Sequence, residues 1–139
     1  MAQTFQLDIR TPEGMAWQGN ASIVTLPGRM GRFQVLVNHA PLLTELEVGE
    51  IRITDESGKE ISFASSGGFA EVRLNNVTVL SETIEEAHEI DVDRAREARR
   101  RAEERTRTAR TTPGSKISRS RAEAALERAE NRLKIASRL

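Results

Sequence analysis

The chain changes both its hydrophobic period and the sign of its charge near residue 90, and this change limits the possible folds more than any other feature. Residues 1–90 carry 6 basic and 13 acidic side chains, a net charge of −7, whereas residues 91–139 carry 15 basic and 8 acidic side chains, a net charge of +7. All five aromatic residues lie in the first part. So sharp a shift predicts two domains, at residues 1–87 and 88–139.

The first part has the pattern of a β domain. Short runs alternate apolar and polar residues, which is typical of strands with one buried face. The apolar positions of these runs are Phe5, Leu7 and Ile9, then Ile61 and Phe63, then Val72 and Leu74. Asn75-Asn76 predicts a tight hairpin between two such runs. Roughly eight to ten short strands at this spacing predict a sandwich or flattened barrel.

No pattern in the sequence predicts a metal centre or a catalytic site. His39 lies in an expected loop just before Pro41, where a hydrogen-bonding role is favoured over metal binding because the chain has one other histidine and no cysteine. No nucleophile elbow or base–nucleophile pair appears. We see no export signal and no apolar run of the ~18–20 residues that a membrane span needs, so an intracellular protein without a span is expected.

The second part has the pattern of an antiparallel helical hairpin, with helices expected at about residues 91–110 and 117–138. Asp91 is the expected N-cap of the first helix, and Pro113-Gly114 ends it. Ser120 has capping-box spacing to Glu123, with Ser115 and Ser118 as alternative caps. The expected apolar stripes are Ala95, Ala98, Ala102 and Ala109 on the first helix, and Ala122, Ala125, Leu126, Ala129, Leu133 and Ala136 on the second.

An alanine seam gives strong helix propensity but weak attraction between the helices, because one buried methyl contributes about 0.8 kcal/mol and a buried Leu or Ile roughly 1.5–3 kcal/mol. Two hypotheses follow: helices that persist while their docking changes, or a permanently closed hairpin. Pairs such as Glu97–Arg101 and Glu103–Arg107 neutralise part of the surface. The remaining excess of positive charge predicts an acidic partner, which is a nucleic acid, an acidic protein surface or a nucleotide phosphate. The lack of aromatic residues for base stacking weighs against nucleic acid.

Four blocks of the sequence together resemble the epsilon subunit of F-type ATP synthases. They are "VNHAPLLTELEVGEIRI", "SGGFAEVRLNNVTVLSE", "EIDVDRAREARRRAEER" and "ALERAENRL". The resemblance implies an α+β fold, with an N-terminal ten-stranded antiparallel β-sandwich followed by a two-helix hairpin. It also implies a subunit that is not itself an enzyme and that couples rotation to ATP synthesis on the central stalk, peripherally at the cytoplasmic face of the inner membrane.

The resemblance also implies partners. These are the gamma subunit and the ring of c subunits for the sandwich, and the alpha and beta subunits for helices that extend and inhibit ATP hydrolysis. The region around Gly31, His39 and Pro41 is implied to belong to the stalk and ring contacts. The common family pattern has Glu, Gly and Pro where this chain has Arg32, Gln34 and Val37, so an altered local conformation is expected there.

Some bacterial members of this family bind ATP in the folded state through an I/L-D-x-x-R-A motif, which here reads Ile90-Asp91-Val92-Asp93-Arg94-Ala95. The residues implied to bind ATP are Glu85, Asp91, Arg94, Arg101, Arg128 and Arg132. ATP would act as a regulatory ligand, with no cofactor or metal required. A basic helical module that binds nucleic acid or another acidic partner is the alternative function, and in it Asp91 only caps the helix.

Overall fold

A computed structural model describes residues 3–138 and divides the chain into two compact units, Met1–Ala87 and His88–Leu139. The described part of the first unit contains nine strands. They are β1 Phe5–Thr11, β2 Gly14–Gly28, β3 Gly31–Val35, β4 Leu42–Leu46, β5 Gly49–Asp55, β6 Glu60–Ser65, β7 Gly68–Arg73, β8 Asn76–Ser81 and β9 Ile84–Glu86. A 3-10 turn at Ala87–Glu89 is followed by α1, Val92–Thr111, and α2, Arg119–Ala136.

The long strand β2 organises the sandwich because it belongs to both layers. Its first half pairs with β1, and its second half pairs with β3 and β5. The pairing with β5 shifts register between Ala21 and Ile23, where an irregularity of this kind bends a strand and increases its twist. One layer continues as β1-β8-β7-β4, and the other as β5-β6-β9.

The core lies between these layers and is mainly aliphatic. Phe5, Leu7 and Ile9 on β1 are buried on one face, as the alternation predicts. Facing strands contribute further buried residues, among them Ile51 and Ile53 of β5. The expected sandwich and hairpin are therefore confirmed, with nine strands among residues 3–138. The strand pairs are antiparallel except for β1 and β8, which run parallel.

Two local expectations in the sandwich are wrong. Leu74 is exposed, and the tight turn lies at Leu74-Asn75, one residue before the expected position, because Arg73 pairs with Asn76 across the hairpin. Leu74 and Asn75 both have positive φ, of 48° and 59°, as this kind of two-residue hairpin turn requires. Because Leu74 lies in the turn and not in a strand, its side chain points to solvent and does not continue the buried face of β7.

Two of the three positions that depart from the family pattern lie in a regular strand, and the third, Val37, lies in the turn after it. Arg32 and Gln34 lie in β3, which pairs with β2 along its whole length. The Arg32 Nη1 atom donates a 2.9 Å hydrogen bond to the carbonyl of Glu50, and Gln34 contacts Thr25 on β2. Strand pairing and these side-chain bonds fix the backbone at both positions without the glycine of the common pattern.

Both helices begin at side-chain caps. Asp91 Oδ1 accepts a hydrogen bond from the Arg94 backbone N–H at 3.1 Å, which confirms the expected N-cap of α1. Ser118 caps α2 by accepting from the Arg121 N–H, so it is Ser118 rather than Ser120 that starts this helix. With the cap at Ser118, Glu123 is not the third residue of the helix and forms no capping box. Its carboxylate pairs with arginines instead.

Candidate functional site

An open groove of about 640 Å³ runs between α1 and α2 within the hairpin. Its small and apolar lining consists of Ala98, Ala102, Ile117, Ser118, Ala122, Ala125 and Ala129. Its charged lining consists of Arg101, Arg105, Lys116, Arg121, Arg128 and Arg132. Alanines leave this space because their side chains are too short to fill the distance between two helices. The result is a channel with small side chains at its base and six cationic groups around it.

The carboxylates of the hairpin neutralise mainly the arginines outside this groove. Arg96, Arg99, Arg100, Arg110 and Arg119 each pair with an aspartate or glutamate. In contrast, the groove residues Arg105, Lys116, Arg121 and Arg128 form no ion pair within residues 3–138. Unpaired guanidinium groups around one cavity are suited to phosphate or carboxylate oxygens, which they bind through paired N–H donors.

The groove brings together three of the six residues that the sequence assigns to ATP, namely Arg101, Arg128 and Arg132. Arg101 also lies 3.7 Å from Glu97, one turn earlier on α1. Arg94 is exposed and does not line the groove, and Asp91 is engaged as the helix cap. Glu85 lies on β9, opposite Ala64 of β6, in the sandwich unit.

Three groove residues are absent from the sequence-based set. Arg105, Lys116 and Arg121 line the same cavity as Arg128, although the family motif does not include them. Helical spacing could have predicted one of them. Arg105 follows Arg101 by four residues and therefore lies on the same face of α1. Lys116 lies in the connection between the helices, where no periodic pattern predicts which way a side chain points.

Glu123 links the two helices of the hairpin. Its Oε1 atom accepts hydrogen bonds of 3.0 Å from Arg119 on its own helix and of 3.0 Å from Arg110 on α1. The Arg119 hydrogen bond, followed by that of Arg110, lowers the pKa of the Glu123 carboxyl below its ordinary value. The expected Glu103–Arg107 pair does not form, since Glu103 contacts Arg99 instead.

The residues assigned to stalk and ring contacts lie at two turns of the sandwich. Gly31 begins β3 at a φ of 130° and pairs with Gly28 across the turn Arg29-Met30. His39 and Pro41 lie between β3 and β4. The Nδ1 atom of His39 is 2.7 Å from the carbonyl oxygen of Ala40, and since a carbonyl only accepts, this hydrogen bond requires the proton on Nδ1.

The outer face of the sandwich carries an exposed apolar band that the sequence pattern does not indicate. Met15, Leu80 and Phe69 follow one line across β2, β1, β8 and β7, with Arg10 between Met15 and Leu80. Phe69 is 54% exposed and Leu80 is 51% exposed. Large apolar side chains that cluster on a solvent-facing sheet are typical of a protein–protein contact.

Gly68 shapes one edge of this band. A Cβ atom at Gly68 would overlap the backbone carbonyl of Leu80, and its φ of 151° is one that other residues rarely adopt. The glycine therefore lets β7 approach β8 closely enough for the side chains of Phe69 and Leu80 to be cross-strand neighbours. Next to them, a shallow cavity of about 570 Å³ extends to Pro12.

Two further properties concern membranes and metals. Within residues 3–138, neither helix has the length and apolar character needed to cross a bilayer. The same residues contain no group of three or more histidine or carboxylate side chains arranged to hold a metal ion.

Comparison with known proteins covers both units. Residues 4–87 match the family described as ATP synthase, Delta/Epsilon chain, beta-sandwich domain, and residues 88–137 match the long alpha-helix domain of the same chain. The ATP synthase epsilon chain of Desulforamulus reducens is 44% identical over 136 residues, which cover 98% of this chain and 99% of that one. The epsilon chain of Desulfitobacterium hafniense strain Y51 is also 44% identical, over 98% of both chains.

Solved structures share the fold. A chain of the Euglena gracilis mitochondrial ATP synthase, in a structure of OSCP, F1 and the c-ring, superposes with a TM-score of 0.81 at 24% identity, covering 100% of this chain and 83% of that one. A chain of the central stalk and c-ring of the Tetrahymena thermophila mitochondrial ATP synthase gives a TM-score of 0.58 at 16% identity, covering 96% and 97%. The chain thus shares with these structures the architecture of a β-sandwich followed by two helices.

The chain belongs to the ATP synthase delta/epsilon chain family, whose two domains match residues 4–137. The resemblance inferred from the four sequence blocks is therefore confirmed. Nothing in these comparisons supports the alternative of a nucleic-acid-binding module.

We expect Glu123→Gln to lower the melting temperature of the helices at pH 7 by roughly a few degrees, because the variant loses the charge that Arg119 and Arg110 share. A lowered folded-state pKa stabilises only above the unfolded-state pKa, and this contribution is lost as the pH falls through the folded value. The difference between the two proteins should therefore shrink as the pH falls below the ordinary range of a glutamate, and disappear once the carboxyl is protonated in the folded state too.

Circular dichroism at 222 nm during heating, at pH 7 and at low pH, measures this effect. Glu127→Gln is the matched control, because Glu127 is exposed on the same helix and forms no ion pair within residues 3–138. An equal loss of stability in both variants, or a difference that persists in acid, would contradict the assignment.

Proposed function

We propose that this chain is a non-catalytic subunit of the central stalk of a proton-translocating ATP synthase. In this proposal the sandwich binds the gamma subunit and the c-subunit ring, at the cytoplasmic face of the inner membrane. The helices α1 and α2 contact the alpha and beta subunits and inhibit ATP hydrolysis. The observation that carries the regulatory part is the set of unpaired cations around the groove of the hairpin.

The apolar band supports docking of the sandwich onto gamma. Burial of a side chain such as Phe69 or Leu80 contributes roughly 1.5–3 kcal/mol, and aromatic residues are enriched at the centres of interfaces. We assign the band to gamma because a large apolar contact suits a permanent partner. The turns that contain Gly31, His39 and Pro41 are assigned to the remaining stalk and ring contacts.

Phe69→Ser is expected to weaken binding of the subunit to gamma by about tenfold or more, since it removes an aromatic anchor from the band. Pull-down of purified gamma with graded concentrations of the variant measures the change. Leu74→Asn is the control, because Leu74 is also apolar and exposed but lies in the β7–β8 turn outside the band. Unchanged binding by Phe69→Ser would remove the band from the interface.

The charge of the hairpin supports its inhibitory role. Residues 91–139 carry a net charge of +7 in a chain whose remaining part is acidic. An acidic segment of the beta subunits would provide the complementary surface for extended helices, and charge complementarity of this kind favours association and fixes its orientation.

Truncation after Glu89 is expected to raise the ATPase activity of the assembled enzyme while the subunit still incorporates, because the complete sandwich unit precedes this position. ATPase assays on complexes purified with the full-length and the truncated subunit test this. If activity stays the same at equal incorporation, the helices do not inhibit.

We further propose that ATP binds the groove of the folded hairpin. Arg101, Arg128 and Arg132 would bind the triphosphate. Asp91 and Arg94 of the motif lie outside the groove lining and would contact other parts of the nucleotide. A ligand that binds only the closed hairpin shifts the population toward it by mass action. ATP would then release the inhibition when it is abundant.

Arg128→Gln is expected to weaken ATP binding by roughly tenfold or more, because a charge-assisted contact to phosphate contributes about 1.5–3 kcal/mol. Isothermal calorimetry with the isolated chain measures the affinity. Arg107→Gln is the matched control, since Arg107 is an exposed arginine of α1 that does not line the groove. No saturable binding at millimolar ATP, or an equal loss in both variants, would refute the site.

A further inference from the structure

Thr106 is a buried polar residue of α1 whose hydroxyl has no hydrogen-bond partner within residues 3–138. It is one of three buried residues of α1, together with Ala95 and Ala102, and only 6% of its surface is exposed. Its Oγ1 atom has no hydrogen-bond partner anywhere in the described range, residues 3–138. A buried hydroxyl without a partner opposes the conformation that buries it.

Neighbouring threonines on the same helix behave differently. Thr108 Oγ1 donates a 3.0 Å hydrogen bond to the carbonyl of Glu104, and Thr111 Oγ1 donates a 2.8 Å bond to the carbonyl of Arg107. Both residues are exposed. Threonine in a helix can therefore satisfy its hydroxyl on the preceding turn, and Thr106, which is buried, does not.

The position of Thr106 places it in the contact between the helices. It follows Ala102 by four residues and precedes Arg110 by four, so the three share one face of α1. Arg110 bonds to Glu123 across the hairpin, so these two positions lie side by side on the antiparallel helices. Counting four residues back along α1 from Arg110 and four forward along α2 from Glu123 brings Thr106 level with Glu127.

We infer that Thr106 is a built-in weak point that keeps the closed arrangement of α1 and α2 marginal. When the helices separate, water satisfies the hydroxyl; when they close, it loses water and gains no partner. The alanines around it add little apolar burial to offset this loss. An inhibitory partner or a bound anion can then decide between the two arrangements with a small difference in affinity.

This inference rests on the proposed function only for its physiological meaning, since the penalty itself is a property of the hairpin. Thr106→Val removes the hydroxyl while keeping size and branching, and valine and threonine have similar helix propensities. The ratio of closed to open hairpin is expected to rise about 5-fold to 30-fold. Thr106→Ser keeps the hydroxyl and should not give this gain.

The chain has no cysteine, so two labels can be placed without removing native thiols. We would introduce Arg107→Cys on α1 and Glu127→Cys on α2, both exposed and both outside the groove lining. Distances between spin labels at these positions in the full chain report the closed fraction. Thr108→Val is the matched control, because it removes an exposed, satisfied hydroxyl from the same helix.

A larger closed fraction in Thr106→Val, but not in Thr108→Val or Thr106→Ser, supports the inference. An unchanged or smaller closed fraction in Thr106→Val, or an equal gain in Thr108→Val, overturns it. ATPase assays of the assembled enzyme separate the two proposals. If Thr106→Val closes the hairpin and inhibition stays the same, the weak point stands and the inhibitory role of the helices fails.

Discussion

The short side chains between α1 and α2 are the constraint on which the rest of the hairpin depends. Alanines at Ala102, Ala122 and Ala129 are buried, yet each contributes little apolar area. The helices therefore form readily and adhere weakly. The same small side chains leave the groove open, so one choice of residue type determines both the looseness of the pair and the presence of a binding cavity.

The arginines of the hairpin fall into two groups, those paired with carboxylates and those that line the groove. Glu97 and Glu104 pair with Arg100 within α1, and Glu123 pairs with Arg110 across the two helices. Arg105, Arg121 and Arg128 lack such partners within residues 3–138 and surround the groove. The closed state therefore brings like charges together without neutralising them, and an anion that enters the groove removes this repulsion.

Sequence reasoning succeeded where periodicity carries the information. The alternation of Phe5, Leu7 and Ile9 indicated the buried face of β1, and the Asp91 cap was legible from residue type and position. The predicted position of the β7–β8 turn was wrong by one residue. A leucine at positive φ is uncommon, so the turn was expected at Asn75-Asn76 and not at Leu74-Asn75. The apolar band was out of reach, since Met15, Leu80 and Phe69 become neighbours only through strand pairing that no local pattern specifies.

The candidate site shows a similar limit. The motif around Asp91 could be found in the sequence, but the cationic lining of the groove depends on which faces of two helices meet. Arg105 shares its face with Arg101 by helical spacing, whereas the place of Lys116 is set by the conformation of a connecting loop. Thr106 reads as a polar interruption of an alanine stripe, and its burial follows only from the closed register.

The strand β2 gives the sandwich a mechanical property that would suit the proposed place of the chain on a rotating stalk. Because this single strand of 15 residues pairs with β1 in one layer and with β5 in the other, the layers are joined by continuous backbone as well as by side-chain packing. A twisting force on one layer is passed to the other through the backbone of β2. The rows of hydrogen bonds to β1 and β5 then share the load. The sandwich should therefore turn as a single stiff body.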